Sequence, residues 1–382
     1  MKRPIGYFVH HQGRGHAERA AAAVNALPDD RPVTLFCARD DIFPALNDNI
    51  EIVVIPSLFE AEAGAQHGNG SMQAAPTPST LHCAPLGWRG ITHAVATIAQ
   101  WFDRRAPALF VTDVSAELAQ FARIASIPTV AVIQHGDRSD PGHLAAYEGA
   151  VGILAPYSAS LEQPERPAWL RSKSFYAPGL GVTGIDLDRQ SARRALGLPL
   201  DREIVVVVAG GGGEGSPATP LTLGARADPS SQWFTIGSVV HAWHETPPTN
   251  LVHKGWVDNP ATWIAAADRL VSSAGNTTVH QIASTDKPWI VVPEWRYFSE
   301  QLCKARMLDR VGAAALCEHW PASAVEWDSA WIRARAVDTV TRGPLVAATA
   351  SQETANWLEA LIARCWGHEE PTAVLGIVEI AQ

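Results

Sequence analysis

His16 is the side chain in this sequence best placed to move a proton. It closes the turn Gln12-Gly13-Arg14-Gly15-His16, between an apolar stretch at 4–11 and an Ala-rich segment that reads as a helix to about residue 27. An imidazole that titrates near ~6.5 can take the proton of a substrate hydroxyl at neutral pH. Asp113 ends a second apolar stretch, 107–113. A carboxylate there can orient the imidazole and favour its cation, or it can simply cap the next helix. His10 and His11 sit close by. As strand neighbours they would point to opposite faces, so with His16 they are expected to form no metal site.

A second set of residues suits anions. The run 203–216 is a strand leading into Gly210, Gly211, Gly212 and Gly213. Glycine lets the backbone approach a phosphate closely and adopt positive φ. The run contains neither Gly-Lys-Ser/Thr nor a clean Gly-x-Gly-x-x-Gly opening a helix, so it matches no named phosphate loop. Further on, Ala274-Gly275-Asn276-Thr277-Thr278 ends the short apolar run 269–274 and opens a helix expected over 277–284. Its free N–H groups and the positive end of the helix dipole make an anion site. The strand 288–293 then delivers Glu294, Glu300 and Gln301 to what should be the same sheet edge. In open α/β sheets ligands lie beyond the carboxyl ends of the strands, so these groups should converge.

The elements that must position these residues are parallel strands with helices between them. Apolar runs recur at 32–38, 50–56, 107–113, 128–134 and 152–158, then at 203–208, 232–237, 251–257, 269–274, 288–293 and 313–318. Helical patterns at 91–104, 115–125, 328–340 and 352–365 lie between or after them. Near-continuous apolar strands alternating with helices mean a sheet covered on both faces. The stretch 176–184 is Gly-rich and suits a linker. The chain thus divides into a first domain over 1–180, a second over 181–350, and a closing helix with a tail over 351–382. Residues 57–90, rich in Gly, Pro, Ser and Ala, read as either a lid over the site or a plain surface loop. His135, with Gly136-Asp137-Arg138, ends 128–134 and is expected to line the first domain's side of the site.

With 382 residues and a net charge of −9, the chain is long enough for two domains and lacks the basic face that general nucleic-acid binding requires. No apolar run reaches the ~18–20 residues that span a bilayer. The opening residues have too short an apolar core for a signal peptide. The five cysteines, Cys37, Cys83, Cys303, Cys317 and Cys365, are scattered without a C-x-x-C, which fits reduced thiols in the cytosol. The segment 166–176 mixes Arg166, Arg171 and Lys173 with Trp169 and Phe175. It reads as a solvated loop with one anchoring tryptophan, in preference to a lipid-facing surface.

Taken together, 255–301 resembles the donor-site signature of nucleotide-sugar glycosyltransferases with the GT-B fold, such as the UDP-glycosyltransferases and the lipid-linked GlcNAc transferase of peptidoglycan synthesis. The resemblance implies an α/β fold of two Rossmann-like domains whose parallel sheets face each other across a cleft, with the closing helix of 351–382 crossing back onto the first domain. It places Trp256 and Val257 against the base, Ala274 to Thr278 and Gly211 to Gly213 at the phosphates, and Glu300 with Gln301 on the sugar hydroxyls. Gln281 stands where such proteins carry a ribose-binding Glu. Gly13, Arg14, Gly15 and His135 fall on the acceptor side, with Arg14 projecting into the cleft in place of a second glycine. The activity implied is an inverting, metal-independent hexosyl transfer from a UDP-sugar to an acceptor hydroxyl. His16 would be the base, supported by Asp113, with no cofactor beyond the nucleotide-sugar. The acceptor would be a small molecule or lipid-linked. The setting would be the cytoplasm, with room for peripheral contact at the inner face of the membrane, and no nucleic acid. The alternatives are a GT-B-fold nucleotide-sugar epimerase or hydrolase, and a non-catalytic sugar-nucleotide-binding subunit.

Overall fold

The computed structural model describes residues 2–61, 75–210, 213–241 and 246–367. Gly211, Gly212, residues 62–74 of the Gly/Pro-rich stretch and the tail after 367 lie outside the described residues.

The first half is a seven-stranded sheet. Its strands are β1 (Ile5–Phe8), β2 (Val33–Cys37), β3 (Ile50–Val54), β4 (Leu109–Asp113), β5 (Thr129–Val132), β6 (Gly152–Ala155) and β7 (Ser174–Tyr176). All pairs are parallel, in the order β3-β2-β1-β4-β5-β6-β7. The helices α1 (Arg14–Asn25), α2 (Arg89–Arg105), α3 (Ala116–Ile124), α4 (Pro141–Gly149) and α5 (Ala168–Ser172) complete it. Strands β1, β2, β4, β5 and β6 are buried along their whole length, which is why they read as unbroken apolar runs.

The second half is a six-stranded parallel sheet in the order β12-β10-β8-β13-β14-β15. It is preceded by α6 (Arg189–Leu196) and contains β8 (Ile204–Val208), α7 (Ala218–Ala227), β10 (Gln232–Ile236), β12 (Leu251–His253), α8 (Pro260–Ala266) and β13 (Arg269–Ser272). It continues through α9 (Asn276–Ala283), β14 (Trp289–Val291), α10 (Glu300–Arg310), β15 (Ala315–Leu316) and α11 (Ala324–Arg335). A two-residue pair, β9 (Ser216–Pro217) with β11 (Val239–Val240), stands apart.

Both sheets reverse their strand order beside the first strand of the half: between β1 and β4 in one, between β8 and β13 in the other. A crevice opens where neighbouring crossovers go to opposite faces, so each half presents its binding edge there. Phe8 pairs with Thr112 and Val208 with Ser272, so the loops carrying His16 and Asp113, and those carrying Gly213 and Gly275, start side by side.

The last helix, α12 (Ala350–Trp366), returns to the first half. Trp357, Leu358, Leu361 and Ile362 join Ile5, Tyr7 and Leu154 in one buried cluster. Trp357 stacks on Phe175 with ring centroids 4.9 Å apart, Glu359 takes two bonds of 2.7 Å from Arg31, and Trp366 donates to the Ala108 carbonyl at 2.9 Å. The two chain crossings lie together, Ala347 donating to the Pro178 carbonyl at 3.0 Å.

The structure moves several boundaries. The strand expected over 251–257 stops at His253, and the helix expected over 328–340 runs from Ala324 to Arg335 before a 3-10 stretch at Thr339–Leu345. The loop expected at 166–176 is a short helix and then an edge strand. Two of its three basic groups turn inward. Arg166 is buried on Glu162 and the Gln134 carbonyl, Lys173 caps the carbonyls of Tyr147 and Glu148, and Phe175 lies on Trp357, leaving Trp169 and Arg171 at the surface.

Candidate active site

His16 sits in the first turn of α1, and its Nδ1 faces Asp113 Oδ1 at 3.2 Å. The pair is not alone. Arg19, one turn along the same helix face, donates from Nε to Asp113 Oδ2 at 2.8 Å and from Nη2 to Asp113 Oδ1 at 2.5 Å. The same Nη2 lies 2.6 Å from His16 Nδ1. Arg19 is 2% exposed and Asp113 0%. Burial alone would raise the Asp113 carboxyl, but the Arg19 guanidinium and His16 outweigh it and hold the group well below the usual carboxylate range. Gly181 of the linker fixes the helix here: at φ +77 its would-be Cβ falls 2.5 Å from Arg19 Cα, so only glycine lets the linker lie on α1 at this point.

Gln134, just past β5, carries the network across the cleft. Its amide is assigned with nitrogen toward the second half, the orientation that satisfies both neighbours: it then donates to Glu300 Oε1 and Oε2 at 2.5 and 2.7 Å, and its oxygen accepts from Arg19 Nη2 at 2.7 Å and Nη1 at 3.3 Å. Arg138 Nη2 also reaches Glu300, at 3.4 Å. The loop between them presses on the same segment. Asp137 N donates to the Phe298 carbonyl at 2.7 Å, and Gly136 (φ +115) leaves no room for a Cβ, which would stand 2.7 Å from that oxygen. Phe298 and Ser299 hold positive φ values of 61° and 53°, a strained conformation for residues with a Cβ.

The two helix starts meet nearby, where a Cβ on Gly15 would lie 3.2 Å from Thr277 Oγ1. Helix α9 begins at Asn276 without a side-chain cap, so its first N–H groups are open to an acceptor. Gln301 is buried with Oε1 taking the amides of Ala274 at 3.0 Å and Glu294 at 2.9 Å, which ties the ends of β13 and β14 together. Glu294 pairs with Arg296 at 2.7 Å and lies against Gly213. Lys304, one turn beyond Glu300 and buried, donates to Asn276 Oδ1 at 3.3 Å; burial pulls its ammonium down to about 8 despite the nearby Glu300.

The structure therefore gathers His16, Asp113, Gly15, Thr277, Asn276, Glu300 and Gln301 around one cleft. Gly13 and Arg14 are exposed beside it, Ala274 is buried under it, and Gly275, Thr278 and Gln281 lie half-buried on α9 or at its start. Trp256 is exposed and Val257 packs on the core. His135 is not on the cleft surface. It is fully buried, its Nε2 donating to the Leu161 carbonyl at 2.8 Å and its ring 4.1 Å from Tyr157. His10 and His11 lie past the end of β1, so strand alternation does not govern them, and their rings stack at 5.4 Å. Burial and the neighbouring His16 push His10 down to about 3, and its Nδ1 accepts from the Gln12 amide.

Sequence reasoning missed Arg19, Gln134 and Lys304, and placed Arg138 on the first half's side of the site without its contact to Glu300. It also missed a cluster of His82, Asp140 and His143, whose donor atoms all lie within 4.8 Å of one another. His143 Nδ1 is held by Asp140 at 2.6 Å while its Nε2 faces the Arg138 guanidinium at 3.3 Å, so a cation there would meet a cation. A separate concavity of about 650 Å³, lined by Asp188, Arg189, Asp268 and Lys287, opens at the amino ends of the second half's strands, away from these groups.

No family model matches the chain. A UDP-N-acetylglucosamine--N-acetylmuramyl-(pentapeptide) pyrophosphoryl-undecaprenol N-acetylglucosamine transferase of Acetivibrio thermocellus is 28% identical over 142 residues, 35% of this chain. The match spans 38% of that relative's own length. Among solved structures, Acinetobacter baumannii MurG superposes with a TM-score of 0.60 at 16% identity, covering 94% of this chain and 100% of that one. Phytolacca americana UGT2, solved with UDP-2fluoro-glucose and pterostilbene, gives 0.60 at 14% identity over 94% and 99% of the two chains. The glycosyltransferase SnogD from Streptomyces nogalater gives 0.57 at 16% identity over 95% and 100%. Two parallel-sheet halves that meet at their switch points, superposing along nearly their whole length on glycosyltransferases of this architecture, make this chain a GT-B-fold protein.

Proposed function

We propose that this chain is a glycosyltransferase that moves a sugar from a UDP-sugar to an acceptor hydroxyl, with inversion at the anomeric carbon and without a metal ion. The observation that carries the reading is that a possible base from one half and a possible sugar-and-phosphate grip from the other share one cleft: His16 stands over Asp113, while Thr277 meets Gly15 and Glu300 is held by Gln134.

In this reading the first half receives the acceptor, a small molecule or a lipid-linked one, and the second half the donor. His16 Nε2 takes the proton of the acceptor hydroxyl as the oxygen attacks the anomeric carbon. The bond from that carbon to the diphosphate breaks on the opposite face, and the negative charge passes to UDP. The open N–H groups at the start of α9, with Asn276 and Thr277, receive that charge through fixed dipoles. Asp113 stabilises the imidazolium that forms, and Glu300 and Gln301 position the sugar. No helix among the described residues is long and apolar enough to cross a membrane. A lipid-linked acceptor would therefore be met at the bilayer surface.

Calorimetric titration with UDP and with UDP-N-acetylglucosamine or UDP-glucose in EDTA tests the donor half, and UDP release against a panel of hydroxyl acceptors tests the chemistry. Binding in EDTA is expected. Binding that returns only with Mg²⁺ or Mn²⁺ would remove the metal-free part, and no binding under any condition would remove the reading itself. His16→Ala should keep donor affinity and lose about 10²–10⁴ in turnover. Asp113→Asn should lose activity as well, but it also leaves the Arg19 guanidinium buried without its counter-charge. A stability loss of about 3–5 kcal/mol should accompany it, and should be absent from His16→Ala. A His16→Ala protein with most of its turnover intact would exclude His16 as the base.

A further inference from the structure

The geometry points to Gln134 as the residue that selects the tautomer of His16, leaving a bare Nε2 only while Gln134 is held by Glu300 of the second half. This deepens the reading of His16 as base and rests on it.

Acceptors outnumber hydrogens at one nitrogen. Arg19 Nη2 carries two N–H bonds. Three acceptors surround it: Asp113 Oδ1 at 2.5 Å, His16 Nδ1 at 2.6 Å and Gln134 Oε1 at 2.7 Å. Asp113, charged and wholly buried, keeps one hydrogen, because a charge-assisted bond is the strongest available and an unpaired buried carboxylate is costly. His16 and Gln134 compete for the other, since the Gln134 oxygen's second Arg19 donor, Nη1, stands farther off at 3.3 Å. If Nδ1 receives it, the ring's own proton stands on Nε2, and that nitrogen cannot take a proton from an acceptor. If Gln134 receives it, Nδ1 becomes a donor to Asp113 Oδ1 at 3.2 Å and Nε2 keeps its lone pair. Passing between the two states moves one proton from Nε2 to Nδ1 through solvent, with no change of charge.

Glu300 decides the competition. The Gln134 amide is assigned with its oxygen on Arg19 because that orientation alone puts its nitrogen on both Glu300 oxygens. Rotated by half a turn, the amide would set oxygen against carboxylate and N–H against guanidinium. Arg138 holds Glu300 from a second side at 3.4 Å, and Lys304 lies one turn on along α10. His10, whose ring centroid is 5.1 Å from that of His16, has its Nδ1 occupied by the Gln12 amide. Readiness of the base in the first half thus depends on the position of a residue that grips the sugar in the second. Gln134 and Arg19 are positioning residues.

Two-bond ¹H–¹⁵N spectra of the full chain labelled at its imidazole nitrogens distinguish Nδ1–H from Nε2–H, with His16→Ala assigning the signal. The wild type is expected to carry Nδ1–H at His16. Gln134→Leu should show Nε2–H, with kcat at least about ten-fold lower and UDP affinity unchanged. If that variant does not fold, Gln134→Asn carries the same expectation, its shorter amide being unable to span Arg19 and Glu300. A wild type with Nε2–H, or a variant that keeps the wild-type tautomer, overturns the proposal. The spectra require no substrate, so the two readings separate. A tautomer that shifts in a protein that uses no UDP-sugar would sink the transferase reading and leave the control by Gln134 standing. Transfer from UDP-glucose with an unmoved tautomer would do the reverse.

Discussion

At the scale of single residues, the protein keeps several imidazoles neutral by burying them. Burial, with His16 adding to it, lowers His10 to about 3, and burial with Lys304 lowers His280 to about 3. Burial and then Arg138 bring His143 to about 4, and burial pushes His135 well below its ordinary value. Each would bind a proton near pH ~6.5 in the unfolded chain but not in the folded one. Between those limits the unfolded state holds more protons, so stability rises with pH. The stabilisation is therefore complete above about pH 6.5 and is lost as pH falls from there toward 3–4, at up to about 1.4 kcal/mol per pH unit for each fully engaged group. A melting temperature that is flat from pH 7.5 to 6.5 and falls progressively by pH 5 is expected. A value that holds steady down to pH 4.5 would mean these rings are hydrated in the native state.

At the scale of elements, the loop between β5 and α4 clamps the start of α10. Gly136→Ala must fit a Cβ against the Phe298 carbonyl at a φ that side chains avoid. The segment 298–300 should shift, at a cost of about 1–3 kcal/mol in stability. Affinity for a UDP-sugar should then fall while affinity for UDP stays, because Glu300 is read as touching only the sugar. Equal losses for both ligands in calorimetry would place the clamp on the nucleotide instead. The same elements show what the sequence could reveal. β8 and β13 were legible because both faces are buried, and α9 because Gly275-Asn276-Thr277-Thr278 announces its start. The short helices α4 and α6 were missed, although Asp140 and Asp188 cap them by accepting from the amides of His143 and Ser191. Arg19 was not legible at all. Its role depends on β4 and β5 lying side by side, Asp113 opposite Val132, with Gln134 two residues beyond. That juxtaposition is tertiary, and an arginine in an Ala-rich helix looks like surface until it exists.

At the scale of the whole molecule, the first half is not made from consecutive chain, because the closing helix crosses back onto it as the resemblance implied. Trp357, Leu358, Leu361 and Ile362 fill its core from the far end of the sequence. During synthesis that core waits. At ribosomal rates the stretch between the first crossing, near Pro178, and the end of α12 takes roughly 10–40 s to appear. For that interval the floor around Gly152, which packs under the Trp357 ring, and the face of Phe175 are open to water or to a chaperone. The second half, complete by about Leu345, can fold first. Ribosome-arrested chains ending near residue 345 should therefore resist protease in the second half and be cut in the first. Chains long enough to expose α12 should resist in both. Early protection of the first half in the shorter chains would show that its sheet closes without α12.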